Sequence, residues 1–312
     1  MSTGNAFADA ITQALAPHQA SYDATANRVH TWSASHWQAV EDLGLPKLLL
    51  PEEAGGSGAA LTEAAAAIEA LGAMGDPSPA ADTALLAWCL HNADRPVPDG
   101  PLVLVAPDRT VIWPDQSSPI GASGGQIDHG TSDEVRPLLN SVPARRTGSI
   151  AAIADSSDRF FQAMTATRAL QLVGAASAAL DLTISYVRER SQFGRPLARF
   201  QAIQQHTAVA AAELAAAAQT ARNAFASLER DNLFAVAAAK ISAGRAATAV
   251  AKAAHQFHGA MGYTAEYPLH RLTRAIWQWR EDYGNETWWS RRLGEQVCSV
   301  GADALWPTLV AD

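Results

Sequence analysis

Two stretches of this chain gather side chains suited to binding a nucleotide cofactor. The first reads RSQFGRPLARFQAIQQH, and it sets a guanidinium at Arg190, an aromatic ring at Phe193 and an amide at Gln201 around a turn. A guanidinium offers a planar fork to pyrophosphate oxygens, a ring can lie against a base or ribose, and an amide reads polar edges. On residue types alone, the same set also describes a helix-ending arginine, a packed ring and a solvated glutamine. The second stretch, HQFHGAMGYTAEYPLHR over residues 255–271, brings Gln256 beside Gly259 and Gly262. Glycines after a helix let main-chain groups approach a ligand closely.

Other candidate chemistry is weaker. His255 and His258 share a helical face, but a metal site needs further donors and none accompanies them, so no metal is expected. The inward Glu-x-x-His pairs of a di-iron bundle do not occur in the helical stretches. GASGGQ at 121–126 lacks the GxGxxG spacing and a following helix, and reads as a turn. Cys89 and Cys298 stand far apart without zinc spacing, and read as two packed thiols.

The elements that must position the two stretches are helical. After Asp158 the chain is rich in helix formers over roughly 159–190, 199–229, 232–258 and 285–300, with a shorter run near 267–280. These suit an antiparallel bundle with short connections. Gly194 and Pro196 interrupt one connection, and Gly259 and Gly262 end the third helix. From Ala6 to about Arg95 the pattern is again helical, with Ser33 or Ser35 as caps and a Gly-rich turn at Gly55–Gly58 before LTEAAAAIEALGAMG. Between them PLVLVAP, TVIWP and similar short runs are β-prone. The expected fold is mainly α: a helical domain over 1–96, a short β-rich segment over 97–157 and a helical bundle over 158–312.

Composition narrows the partners. Thirty-one acidic against 23 basic side chains give a net charge of −8, which offers no long-range attraction to nucleic acid or anionic lipid. MSTGNAFADAITQALAPHQ lacks a basic n-region and an apolar h-region, and Glu213 interrupts the Ala-rich run at 208–218. A cytoplasmic protein without a membrane partner is expected.

RSQFG with its following FQAIQ, and HQFHGAMGYTAEYPLHR after it, resemble the acyl-CoA dehydrogenase family in order, spacing and chain position. LGLPKLLLPEEAGGSGAALTEAAAAIEALG also resembles that family's first helical domain. The resemblance implies FAD as cofactor, an acyl-CoA thioester as substrate and an electron-transferring flavoprotein as electron acceptor. It implies that Arg190, Phe193, Gln201, Gln256 and Gly259 contact the ADP half of an FAD seated mainly in a neighbouring subunit. The family's usual pair of glycines is Gly259-Ala260 here. The middle segment is about half the family's usual length, and Trp113 does not match its flavin-contacting loops.

The family usually removes the α-proton with a glutamate before Gly-Thr. Counting without gaps from YPLHRLTR puts Tyr283 at that position and Gly284 after it. Glu281, Asp282 and Glu286 are the neighbouring acids, while Asn285 reads as the N-cap of ETWWSRRLGEQV. A second family location for the base, on the first long bundle helix, reads FFQAMTATRAL around Met164 and holds no acid. The expectation is therefore a subunit without a catalytic residue of its own. It resembles the shortened, paired enzymes of bacterial steroid and bile-acid side-chain breakdown, with the base on a homologous partner subunit. Two alternatives stay open: a self-sufficient homo-oligomer using one of the three acids, and a non-catalytic CoA-binding or structural protein on the same fold.

Overall fold

The computed structural model describes residues 3–19, 34–76, 78–105, 118–121, 151–152, 157–230, 232–301, 303 and 306–307. Most of the β-prone middle segment lies outside these, as do Ser33, Trp113 and positions 122–126 of the glycine-rich loop. The chain forms two compact units, Met1–Thr167 and Arg168–Asp312.

The first unit holds helices α1 (Thr3–Gln19), α2 (Ala34–Asp42), α3 (Leu61–Met74) and α4 (Ala80–Asn92), and the strands β1 (Leu102–Val105), β2 (Ser118–Gly121) and β3 (Ala151–Ala152). The strands run parallel in the order β1-β2-β3. Ser35 falls inside α2 rather than capping it. The start of α3 is fixed where the Ala60 amide donates to Glu63 Oε2 at 3.0 Å, and its end where Gly75 turns left-handed at φ 62°. α4 is buried from Ala80 to Leu90 on every face, in a stretch that is apolar except for Asp82 and Thr83. Thr83 on α4 accepts a hydrogen bond from the Leu102 amide at 2.9 Å and so joins the helix to β1. Beneath α2, buried His36 meets Asp76 at 2.5 Å, and the Ser78 hydroxyl donates to the other Asp76 oxygen.

The boundary between the units falls inside α5 (Ser157–Glu189). The second unit continues through a hairpin of β4 (Ser191–Gln192) and β5 (Arg195–Pro196), then α6 (Gln201–Ala226), α7 (Leu233–His258), α8 (Leu269–Glu281) and α9 (Glu286–Val300). α7 is central and packs against α6, α8 and α9. Alanines allow the close approach: Ala217 and Ala221 of α6 and Ala243, Ala247 and Ala251 of α7 are almost fully buried. Asn232 caps α7 by accepting from the Ala235 amide, and Asn285 caps α9 by accepting from the Thr287 and Trp288 amides. α5 and α7 are apolar and long enough to cross a bilayer by composition alone; 61% and 50% of their most apolar windows lie buried inside the protein.

Candidate functional site

Three helix ends meet at one end of the bundle. Tyr186, in the last turn of α5, stacks on His258, the last residue of α7, with ring centroids 4.2 Å apart. His206, near the start of α6, faces Phe257 of α7 edge-on at 6.4 Å. These contacts bring the turn carrying Arg190 and Phe193 and the loop carrying Gln256 and Gly259 to the same end.

Each residue expected to hold a cofactor is exposed there. Arg190 follows α5 and Gln201 is the first residue of α6. Phe193 sits at the tip of the two-residue hairpin, with its ring 88% exposed and its backbone left-handed at φ 52°. Gly194 follows at φ 78°, so both central residues of the turn have positive φ, the combination that normally selects Asn-Gly. A left-handed phenylalanine costs about 1–3 kcal/mol and recurs where function keeps it. Gly259 closes α7 with φ 57° and ψ −137°, and nothing lies within 4 Å of where a Cβ would stand. An exposed guanidinium, an exposed ring that meets Phe200 edge-on at 6.2 Å, two amides and an open main chain fit the pyrophosphate and aromatic surfaces of a dinucleotide.

Beneath that end, the histidines are held by aromatic partners. His258 Nδ1 meets the Ala254 carbonyl at 2.8 Å, which only an N–H can satisfy, so Nε2 accepts from the Tyr267 hydroxyl at 3.1 Å. His255 stacks on Tyr263 at 4.3 Å. Burial lowers the pKa of both histidines, further for His255 through the neighbouring His258, while the Ala254 carbonyl opposes the shift at His258.

The second region of interest is the turn between α8 and α9. Tyr283 is 3% exposed, left-handed at φ 56°, and its ring lies 5.2 Å from the Arg168 guanidinium of α5. The phenol thus packs inward. Both Asp282 oxygens are engaged: Oδ2 accepts from Arg168 Nε at 3.0 Å and Oδ1 from Gln278 Nε2 at 2.8 Å. Arg168 also donates to Gln171 Oε1. Glu286 accepts from Arg280 Nε at 2.6 Å and lies so close to α7 that a Cβ on Gly244 would come within 2.2 Å of its Oε1. Glu281 accepts from the Asn285 amide group at 2.8 Å. Each of the three acids is therefore part of the turn's own scaffold.

Sequence reasoning did not single out Arg168, Gln171, Lys240 or Gln278. Lys240 carried the one available signal, a lysine alone within the apolar run AVAAAKISAG. Arg168 carried none, because its carboxylate partner lies 114 positions away.

Comparison with known proteins follows the same outline. The family model for the acyl-CoA dehydrogenase C-terminal domain matches residues 156–278, and that for the N-terminal domain matches 4–93. The chain is similar to acyl-CoA dehydrogenase IpdE2 of Mycolicibacterium smegmatis, 30% identical over 73% of this chain and 76% of the relative. It is 29% identical to IpdE2 of Mycobacterium tuberculosis over 77% of this chain and 79% of the relative. Among solved structures, the Tcur3481-Tcur3483 steroid ACAD G363A variant superposes with a TM-score of 0.73 at 22% identity, covering 95% of this chain and 98% of that one. The ChsE4-ChsE5 complex from Mycobacterium tuberculosis gives 0.72 at 18% identity, covering 97% and 99%.

Proposed function

The chain belongs to the acyl-CoA dehydrogenase family, and from that premise we propose that it is one subunit of a heteromeric, FAD-dependent enzyme whose proton-abstracting carboxylate stands on a homologous partner subunit. The reaction is α,β-dehydrogenation of an acyl-CoA thioester, passed on to an electron-transferring flavoprotein. FAD, when bound, supplies the acceptor for the hydride that leaves the β-carbon.

Arg190 would pair with the pyrophosphate, Phe193 would cover an aromatic or ribose surface, and Gln201, Gln256 and the open main chain at Gly259 would meet polar edges of the ADP half. The exposure of all five at one end of the bundle supports this, since residues holding a cofactor shared with a neighbouring subunit must face outward.

The observation that carries the division of labour is the α8–α9 turn. A phenol with an ordinary pKa of about 10 is a poor resting-state proton acceptor at neutral pH. Tyr283 is turned inward, and Glu281, Asp282 and Glu286 are each held by a donor of the same turn or its neighbours. A relative solved as a two-component complex and a fold neighbour described as a steroid enzyme support a paired assembly acting on a polycyclic acyl group.

Co-expression with a homologous subunit encoded nearby tests the proposal. The chain alone should purify colourless and inactive, and the complex should be yellow and turn over acyl-CoA. A flavin-replete, active homo-oligomer of this chain would contradict it, and a complex that stays colourless would favour a non-catalytic role.

A further inference from the structure

The chain contains only three lysines, Lys47, Lys240 and Lys252, and the first and last are exposed. Lys240 is 1% exposed, in the middle of α7. Its ammonium donates to three main-chain carbonyls of a single turn: Arg280 at 2.9 Å, Asp282 at 2.7 Å and Gly284 at 2.8 Å. Those three bonds use every N–H that an ammonium has. The two carbonyls between them are satisfied separately, Glu281 by the Gly284 amide and Tyr283 by the Trp289 indole N–H at 2.9 Å. One nitrogen thus plays the part that a bound cation plays in an oxygen-lined site.

The charges facing this nitrogen come from three elements. Arg168 of α5 and Asp282 are buried with it, while Arg280 and Glu281 of α8 and Glu286 of α9 lie further out. Asp282 is thus a buried carboxylate close to two buried cations. Burial lowers the Lys240 pKa to about 7, Asp282 opposes that shift and Arg168 adds to it. A neutral amine would offer two N–H donors and a lone pair to three carbonyls, so one carbonyl must lose its partner.

We propose that Lys240 is a proton-controlled clip on the α8–α9 turn: charged, it draws the carbonyls of Arg280, Asp282 and Gly284 together, and neutral, it releases one of them, so the turn tightens at acid pH and loosens at alkaline pH. The inference rests on this chain's own residues and needs neither FAD nor a partner.

Side-chain-labelled lysine and indole-labelled tryptophan in the full chain, co-expressed with its partner where it purifies as a complex, provide the test by NMR. One lysine signal should titrate within about one unit of pH 7 and should persist in the K47R/K252R double variant. The Trp289 indole N–H, assigned by its loss in Trp289→Phe, should shift with the same midpoint, and its protection against exchange, after the hydroxide dependence of the intrinsic rate is divided out, should fall roughly tenfold on the alkaline side. Where Lys240→Met folds, it should lack that step. The clip is overturned if no lysine signal moves below about pH 9.5, or if one moves while the Trp289 indole does not. Neither reading depends on Lys240→Met, so the test survives if that variant fails to fold.

Discussion

Arg168 and Asp282 lie 114 positions apart in sequence and form a buried ion pair, Nε to Oδ2 at 3.0 Å, with side chains 2% and 3% exposed. The pair anchors the α8–α9 turn to α5 and commits a carboxylate beside the expected base position to structure. Removing one partner leaves a buried charge unmatched, so Asp282→Asn should destabilise the chain by about 3–5 kcal/mol. Chemical denaturation measures the loss, and a change below about 1 kcal/mol would show that the pair does not anchor the turn.

Phe193 should trade stability for cofactor retention. Its left-handed backbone suits asparagine, so Phe193→Asn should raise the stability of the FAD-free chain by roughly 1 kcal/mol. The same change removes the exposed ring and should weaken FAD binding in the complex. Thermal unfolding and flavin titration separate the two effects, and unchanged flavin affinity would detach Phe193 from the cofactor.

Arg190→Ala should cost about 1.5–3 kcal/mol of FAD affinity, because a charge-assisted contact to pyrophosphate is lost. Arg190 is exposed and its main chain, not its side chain, carries the bonds to Tyr186 and Leu197, so the fold should persist. Equilibrium dialysis of the flavin against the variant complex reads the difference.

How stability varies with pH should report Lys240 and the histidines in separate windows. The folded value for Lys240, about 7, lies below its ordinary 10.5, so the unfolded chain binds the extra proton and stability rises as pH climbs between those values. His255 and His258 are also lowered by burial, so the stability they contribute is present above their ordinary 6.5 and lost as pH falls through their folded values. His36 runs the other way. Burial alone would lower it, yet the hydrogen bond and charge of Asp76 raise it, so its contribution is lost as pH rises through the raised value. Urea midpoints at several pH values, with Lys240→Met and His36→Gln as comparisons, resolve the contributions; Lys240→Met should flatten the alkaline rise.

The bundle and its loops were legible because their signals are local. Gly259 closes α7, Asn285 caps α9, and the helices fall within a few residues of the stretches rich in helix formers. The turn carrying Arg190 and Phe193 was equally plain, since its residue types stand side by side. What was not legible depends on pairing across the fold. Tyr186 stacks on His258 and Lys240 reaches carbonyls 40 to 44 positions away, and neither relation leaves a periodic trace in sequence. The inward turn of Tyr283 follows from Trp289 holding its own carbonyl while Lys240 holds those on either side, which residue types alone do not reveal.

The central claim, that this chain lacks the base and its partner supplies it, is tested most directly by anaerobic mixing of the assembled complex with acyl-CoA while the bound flavin's absorbance is followed. Tyr283→Phe, Glu281→Gln and Glu286→Gln should each leave substantial bleaching, as should Asp282→Asn at a temperature where it stays folded, whereas replacing the partner's glutamate should abolish it. If one substitution on this chain stops bleaching while FAD and acyl-CoA still bind, the base is here and the division of labour is wrong.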